Sequence, residues 1–90
     1  MQFKGLILKF GFGSLEALCK RKGWRVPLVS EIRNNPTACE HRCFWVADEP
    51  EKIEDRKTHA YLYCVDSKEL ILVNKNHMKH AVVIVEKGKL

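Results

Sequence analysis

The sequence predicts an α+β domain with a mainly antiparallel sheet and two short N-terminal helices. Helical spacing of apolar residues is confined to residues 14–33, while 44–85 is a succession of β-prone runs parted by polar turns. Strong β runs also lie near both ends of the chain, which predicts that the first and last strands are neighbours. Ninety residues supply one hydrophobic core, so residues 1–90 are read as a single domain.

Taken in order, residues 2–10 read as a strand. Phe3, Leu6, Ile7, Leu8 and Phe10 are apolar, and the run at 6–8 predicts burial on both faces. Gly11-Phe12-Gly13 breaks it. Ser14 is a good N-cap for a helix to about residue 22, with Leu15, Leu18 and Cys19 at helical spacing and Gly23 as its stop. Residues 24–27 are extended, because Pro27 turns Val26 away from helical backbone. A second short helix covers 28–33 and ends at Asn34-Asn35-Pro36. Beyond it come a short strand at 44–47, a charged loop at 48–57, a strand at 59–65, a turn at 66–69 and a strand at 70–73. A polar connection then leads to the last strand, 81–85.

Composition narrows the class of protein. The chain is 46% hydrophobic and 30% charged, with three Pro and five Gly, which excludes disordered and collagen-like chains. No apolar run reaches the roughly 20 residues of a membrane span. Residues 1–10 carry no small-residue cleavage site, so a signal peptide is not expected, and a cytoplasmic setting with free thiols at Cys19, Cys39, Cys43 and Cys64 is the expectation. Cys19 and Cys64 read as small buried hydrophobes.

The formal charge of +5 is unevenly spread. Eight basic residues face three acidic ones over 1–47, while five acidic face three basic over 48–57. The densest basic cluster is Lys20, Arg21, Lys22 and Arg25. It reads first as a helix C-terminus, where cations complement the dipole. Its alternative reading is a nucleic-acid surface, with Phe12 or Trp24 exposed to stack on bases.

From Leu15 onward the order of motifs is that of a known group. A helix leads to Gly23-Trp24-Arg25-Val26-Pro27 and a short helix at Val29-Ser30-Glu31-Ile32. The pair Phe44-Trp45, the strand from Ala60 to Ser67 and a hairpin into Val82 to Val85 follow. This resembles the small bacterial and phage domains of unknown function in the C-type lectin-like group, distant relatives of the formylglycine-generating-enzyme fold. The resemblance spans about residues 15–86 and implies a minimal C-type lectin-like scaffold. It also implies that Trp24, Trp45, Tyr61 and Tyr63 pack in or beside the core, with Arg25 capping carbonyls or stacking on a ring. The chain departs from sugar-binding members of the group. Glu49-Pro50-Glu51 is superficially similar to their calcium loop, but the acidic run is interrupted by Lys52 and offers no cage of about six to eight oxygen ligands.

Other chemistry is weakly supported. Cys39 and Cys43, with His77 and His80, have spacings near those of a zinc site, so a zinc-stabilised domain is one alternative; the favoured reading of the four is polar loop, with no cofactor. No phosphate-cradling loop or nucleophile–base pair stands out, and an enzyme is not expected. The leading expectation is a non-catalytic binding protein acting by protein–protein contact, an accessory or inhibitor protein of a phage or mobile element. Its contact surface would be the irregular segments 34–42 and 48–57, with Arg42, Glu49, Glu51, Glu54 and Arg56 as candidate contacts.

Overall fold

A computed structural model describes residues 2–6, 8–35 and 43–85. The chain opens with β1 (Gln2–Gly5), helix α1 (Phe12–Lys22), β2 (Trp24–Arg25) and helix α2 (Val29–Asn34). It continues through β3 (Cys43–Trp45), a 3-10 helix (Ile53–Lys57), β4 (His59–Cys64), β5 (Glu69–Asn74) and β6 (Val82–Val85). This is the α+β, antiparallel architecture that the sequence predicts, with β1 and β6 paired from Gln2 opposite Val85 to Gly5 opposite Val82. The strands divide into two sheets rather than one, ordered β1-β6-β2 and β3-β4-β5.

The first strand is shorter than the apolar run suggests. Leu6 donates its N–H to Ala81 O, continuing the β1–β6 register, but Phe10 then pairs with Lys79, two residues out of step. Two more residues therefore separate Leu6 from Phe10 than separate Lys79 from Ala81. Leu8 is 69% exposed there, so the expectation of burial on both faces fails at this position.

Helix α1 begins three residues earlier than Ser14 would set it. Gly11 occupies the N-cap without a side-chain cap, and the Phe12 N–H donates to Lys75 O at 2.9 Å. A β-carbon at Gly11 would stand 3.0 Å from that same carbonyl, so this close approach needs glycine. The C-terminus follows the sequence closely. Gly23 adopts the left-handed conformation (φ 72°), returns its N–H to Cys19 O, and follows a last turn holding Lys20, Arg21 and Lys22.

Helix α2 is capped from a distance. Leu28 has no capping oxygen, so Asp48, in the loop after β3, accepts the Val29 N–H at 2.8 Å. Glu31 accepts the Leu28 N–H at 2.9 Å. The same Glu31 carboxylate receives a two-pronged bond from Arg25, at 2.7 and 2.6 Å, which joins α2 to β2. Arg25 therefore holds the Glu31 carboxylate, a partner that the resemblance did not name.

The β3–β4 pair forms the middle of the molecule. Its ladder alternates faces, with Trp45, Ala60 and Leu62 on one side and Tyr61 and Tyr63 on the other. The first side packs against Phe12, Leu15 and Cys19 of α1 and against Val83 of β6. The second packs against Val29 and Ile32 of α2. Trp45 is fully buried, meets Phe12 edge-on with ring centroids 5.4 Å apart, and donates its indole N–H to Phe10 O at 2.8 Å. Trp45 and Tyr63 are core residues and Trp24 and Tyr61 are half-buried, the placement expected of these four aromatics.

Two cysteines depart from expectation. Cys43 and Cys64 stand opposite each other in the β3–β4 ladder and form a disulfide, with Cα atoms 3.9 Å apart. The register explains the pairing. The Val46 N–H donates to Tyr61 O, which makes every second pair along the ladder, counted from 46 and 61, a hydrogen-bonded one. Cys43 and Cys64 then fall on a non-hydrogen-bonded pair, where side chains approach most closely. The expectation of free thiols is corrected at both residues.

Candidate interaction surface

An open cavity of about 620 Å³ lies between α1, β2, the loop after β3 and the start of β4. It is the place where the two predicted surfaces meet. Lys20 and Arg25, from the basic cluster, line it together with Glu49 and Arg56, from the acidic excursion. The lining is thus mixed in sign, with Trp24 and Pro50 as apolar walls. Most of its polar groups are already engaged. Arg25 holds Glu31, Asp48 caps α2, and Arg56 donates to Pro50 O at 2.8 Å and pairs with Glu49 at 3.2 Å.

The excursion 48–57 is fixed at both ends. Ala47 donates its N–H to Pro27 O, and Asp48 is held by α2. At the far end, Lys75 donates its backbone N–H to Thr58 O and its ammonium to Arg56 O, at 2.8 and 2.7 Å. Between these anchors Glu49, Glu51, Glu54 and Arg56 are exposed. Ile53, the first residue of the 3-10 helix, is 74% exposed among them. Sequence reasoning passed over Ile53. The signal was an isolated branched apolar residue inside a charged run, which has no core-directed periodicity to explain it.

The basic cluster separates on folding. Lys20, Arg21 and Lys22 lie exposed on the last turn of α1, whereas Arg25 is committed to Glu31. Trp24 is flanked by cations, with Lys4 at 4.9 Å and Lys22 at 6.0 Å from its ring centre. Phe12 is buried, which corrects the expectation that it could stack on bases.

Of the candidate zinc ligands among the described residues, Cys43 and His80 line one hollow, but they do not make a metal site. The Cys43 sulfur is bonded to Cys64 and cannot serve as a thiolate ligand, a correction to the zinc reading. His77 is exposed, His80 is half-buried, and no cluster of three metal-ligating side chains occurs among the described residues. Cys39 and Arg42 lie outside the described residues, as does most of the segment 34–42.

Cys19 is the free cysteine among the described residues, buried against the core. Burial pushes its thiol above the ordinary range, and the nearby Glu16 carboxylate adds to the effect. No helix among the described residues is long and apolar enough to cross a membrane. Comparison with known proteins returns no match to any family model, curated protein or solved structure.

Proposed function

We propose that this chain is a non-catalytic binding protein whose partner is another protein, gripped by the excursion 48–57. The observation that carries the reading is a rigidly anchored, charged loop presenting one exposed aliphatic side chain, Ile53, among Glu49, Glu51 and Glu54. Protein interfaces concentrate their binding strength in such anchors, ringed by polar residues, and a loop already held in place loses little entropy on docking. A C-type lectin-like scaffold accords with paired terminal strands, two helices and a separate antiparallel sheet. A role as a phage or mobile-element accessory protein follows from that resemblance. Catalysis has little support, since the buried Cys19 thiol is raised in pKa, the opposite of what a nucleophile needs. The Cys43–Cys64 bridge weighs against the cytoplasmic setting expected from the sequence, because such bonds persist in oxidising compartments.

The test uses the full chain and an Ile53→Asp variant as baits in extract of the native host. The reading expects a protein retained by the wild type and lost from the folded variant; equal retention by both, or none by either, overturns it. The nucleic-acid alternative rests on the exposed Lys20, Arg21 and Lys22. It is separated by titrating single-stranded and duplex DNA and RNA over a range of salt, where steeply salt-dependent binding would favour it over protein contact.

A further inference from the structure

The third sheet position, β5, ends the β3-β4-β5 sheet at an open edge among the described residues. Leu70, Ile71 and Leu72 are 44%, 42% and 42% exposed. Leu70 and Leu72 continue the Tyr63 and Tyr61 face of the sheet, and Ile71 continues the Leu62 face, so both surfaces of this strand carry partly exposed apolar side chains. Met78, 60% exposed, lines the same hollow as Ile71. Natural edge strands discourage pairing with lysine, proline or bulges. The run Glu-Leu-Ile-Leu-Val-Asn has no lysine or proline, and its register with β4 is unbroken. The opposite edge of the sheet, at β3, is engaged, with the Trp45 N–H directed to His80 O.

The hydrogen-bond alternation identifies the groups that face outward. The Lys75 N–H donates to Thr58 O in register with the β4–β5 ladder, so residues 69, 71, 73 and 75 turn their backbone groups toward β4. Leu70, Leu72 and Asn74 therefore turn theirs toward the open edge. We propose that this edge pairs with the β5 edge of a second copy of the chain, antiparallel about a two-fold axis at Leu72, to make one continuous six-stranded sheet.

Charge selects both the occupant and the direction. Glu69 opens β5 and Lys75 follows its last residue. Antiparallel pairing about Leu72 sets Glu69 of one copy opposite Lys75 of the other at both ends, whereas parallel pairing would set like against like. Leu72 then meets its own counterpart, and Ile71 meets Val73. Lys75 directs its ammonium to Arg56 O and over the Phe12 ring in the single chain, so meeting the partner carboxylate requires its side chain to turn outward. A strand that is its own complement in shape, backbone pattern and charge fits a second copy, and such isologous contacts are the commonest form of self-association.

Sedimentation equilibrium on the full chain tests this. The wild type is expected at about twice 10.5 kDa. Leu72→Lys, which sets two ammonium groups face to face at the axis, should weaken association roughly tenfold or more. Glu69→Lys should also weaken it, and Glu69→Lys combined with Lys75→Glu should restore it. A wild type that stays monomeric at every concentration, a Leu72→Lys variant that associates unchanged, or a charge exchange that restores nothing would each overturn the proposal. The Ile53→Asp variant should remain dimeric while losing its captured partner, so the two surfaces fail independently.

Discussion

Strands β5 and β6 are made of nearly the same material and meet opposite fates. The core of β5 is Leu-Ile-Leu-Val and β6 is Val-Val-Ile-Val. Val82, Val83 and Ile84 are buried to 3% exposure or less, because β6 is the middle strand between β1 and β2 and is covered on both faces. The three leading aliphatics of β5 stay open to solvent at a sheet edge. Apolar composition thus fixes that a segment is extended; position in the sheet decides whether it is hidden. Apolar surface left open at an edge is then a statement about a partner rather than about the core.

The sharpest way to break this contrast is truncation. Ile84→Ala should cost about 3 kcal/mol through lost burial and a residual cavity, measured by urea unfolding. Ile71→Ala should cost about 1 kcal/mol or less in dilute protein, because much of its side chain is already in water. If β5 pairs with a second copy, that smaller loss should grow with protein concentration, while the β6 loss should not. Equal losses at the two positions would mean the strands are buried alike.

Next in size is the bridge within the β3-β4-β5 sheet. Replacing Cys43 and Cys64 together by alanine should destabilise the fold by about 3 kcal/mol, as expected for opening a loop with a sequence separation of 21. The measurement is again the urea midpoint, compared with the disulfide-bonded wild type. A loss near zero would show that the ladder alone sets the β3–β4 register.

The smallest effect concerns Cys19, beneath the α1 face that packs toward β6. Its thiol is raised in the folded chain, first by burial and then by Glu16. A raised acid stabilises the fold fully below its unfolded pKa and loses that contribution as pH climbs through the higher folded value. Wild type should therefore lose stability in alkali faster than Cys19→Ala, read as the difference between their urea midpoints across pH. Parallel pH curves would mean that the thiol titrates as it does in the unfolded chain.

What could be read in the sequence were features decided by neighbours along the chain. The α1 stop at Gly23, the turn after β4 and the apolar last strand all follow from local backbone preference and patterning. What could not be read depends on distant contacts. Helix α1 starts at Phe12 because Lys75 supplies a carbonyl and Trp45 a ring, neither of which marks the sequence near Ser14. Helix α2 is capped by Asp48, nineteen residues beyond Val29. Four cysteines allow three connectivities, and only the β3–β4 register selects Cys43 with Cys64. The candidate surface was half visible: its charged loop was plain, but Ile53 and the meeting of Lys20 and Arg25 with Glu49 and Arg56 required the fold.

The pairing of Gln2 with Val85 also dictates an order of events during synthesis. Strands β1 and β2 both hydrogen-bond to β6, so neither can be completed until the ribosome has released residue 85. The β4–β5 hairpin needs only a short turn and can close first. A nascent chain stalled before β6 would hold its leading half unfinished, with Leu15 and Trp45 lacking Val83 behind them and open to chaperones.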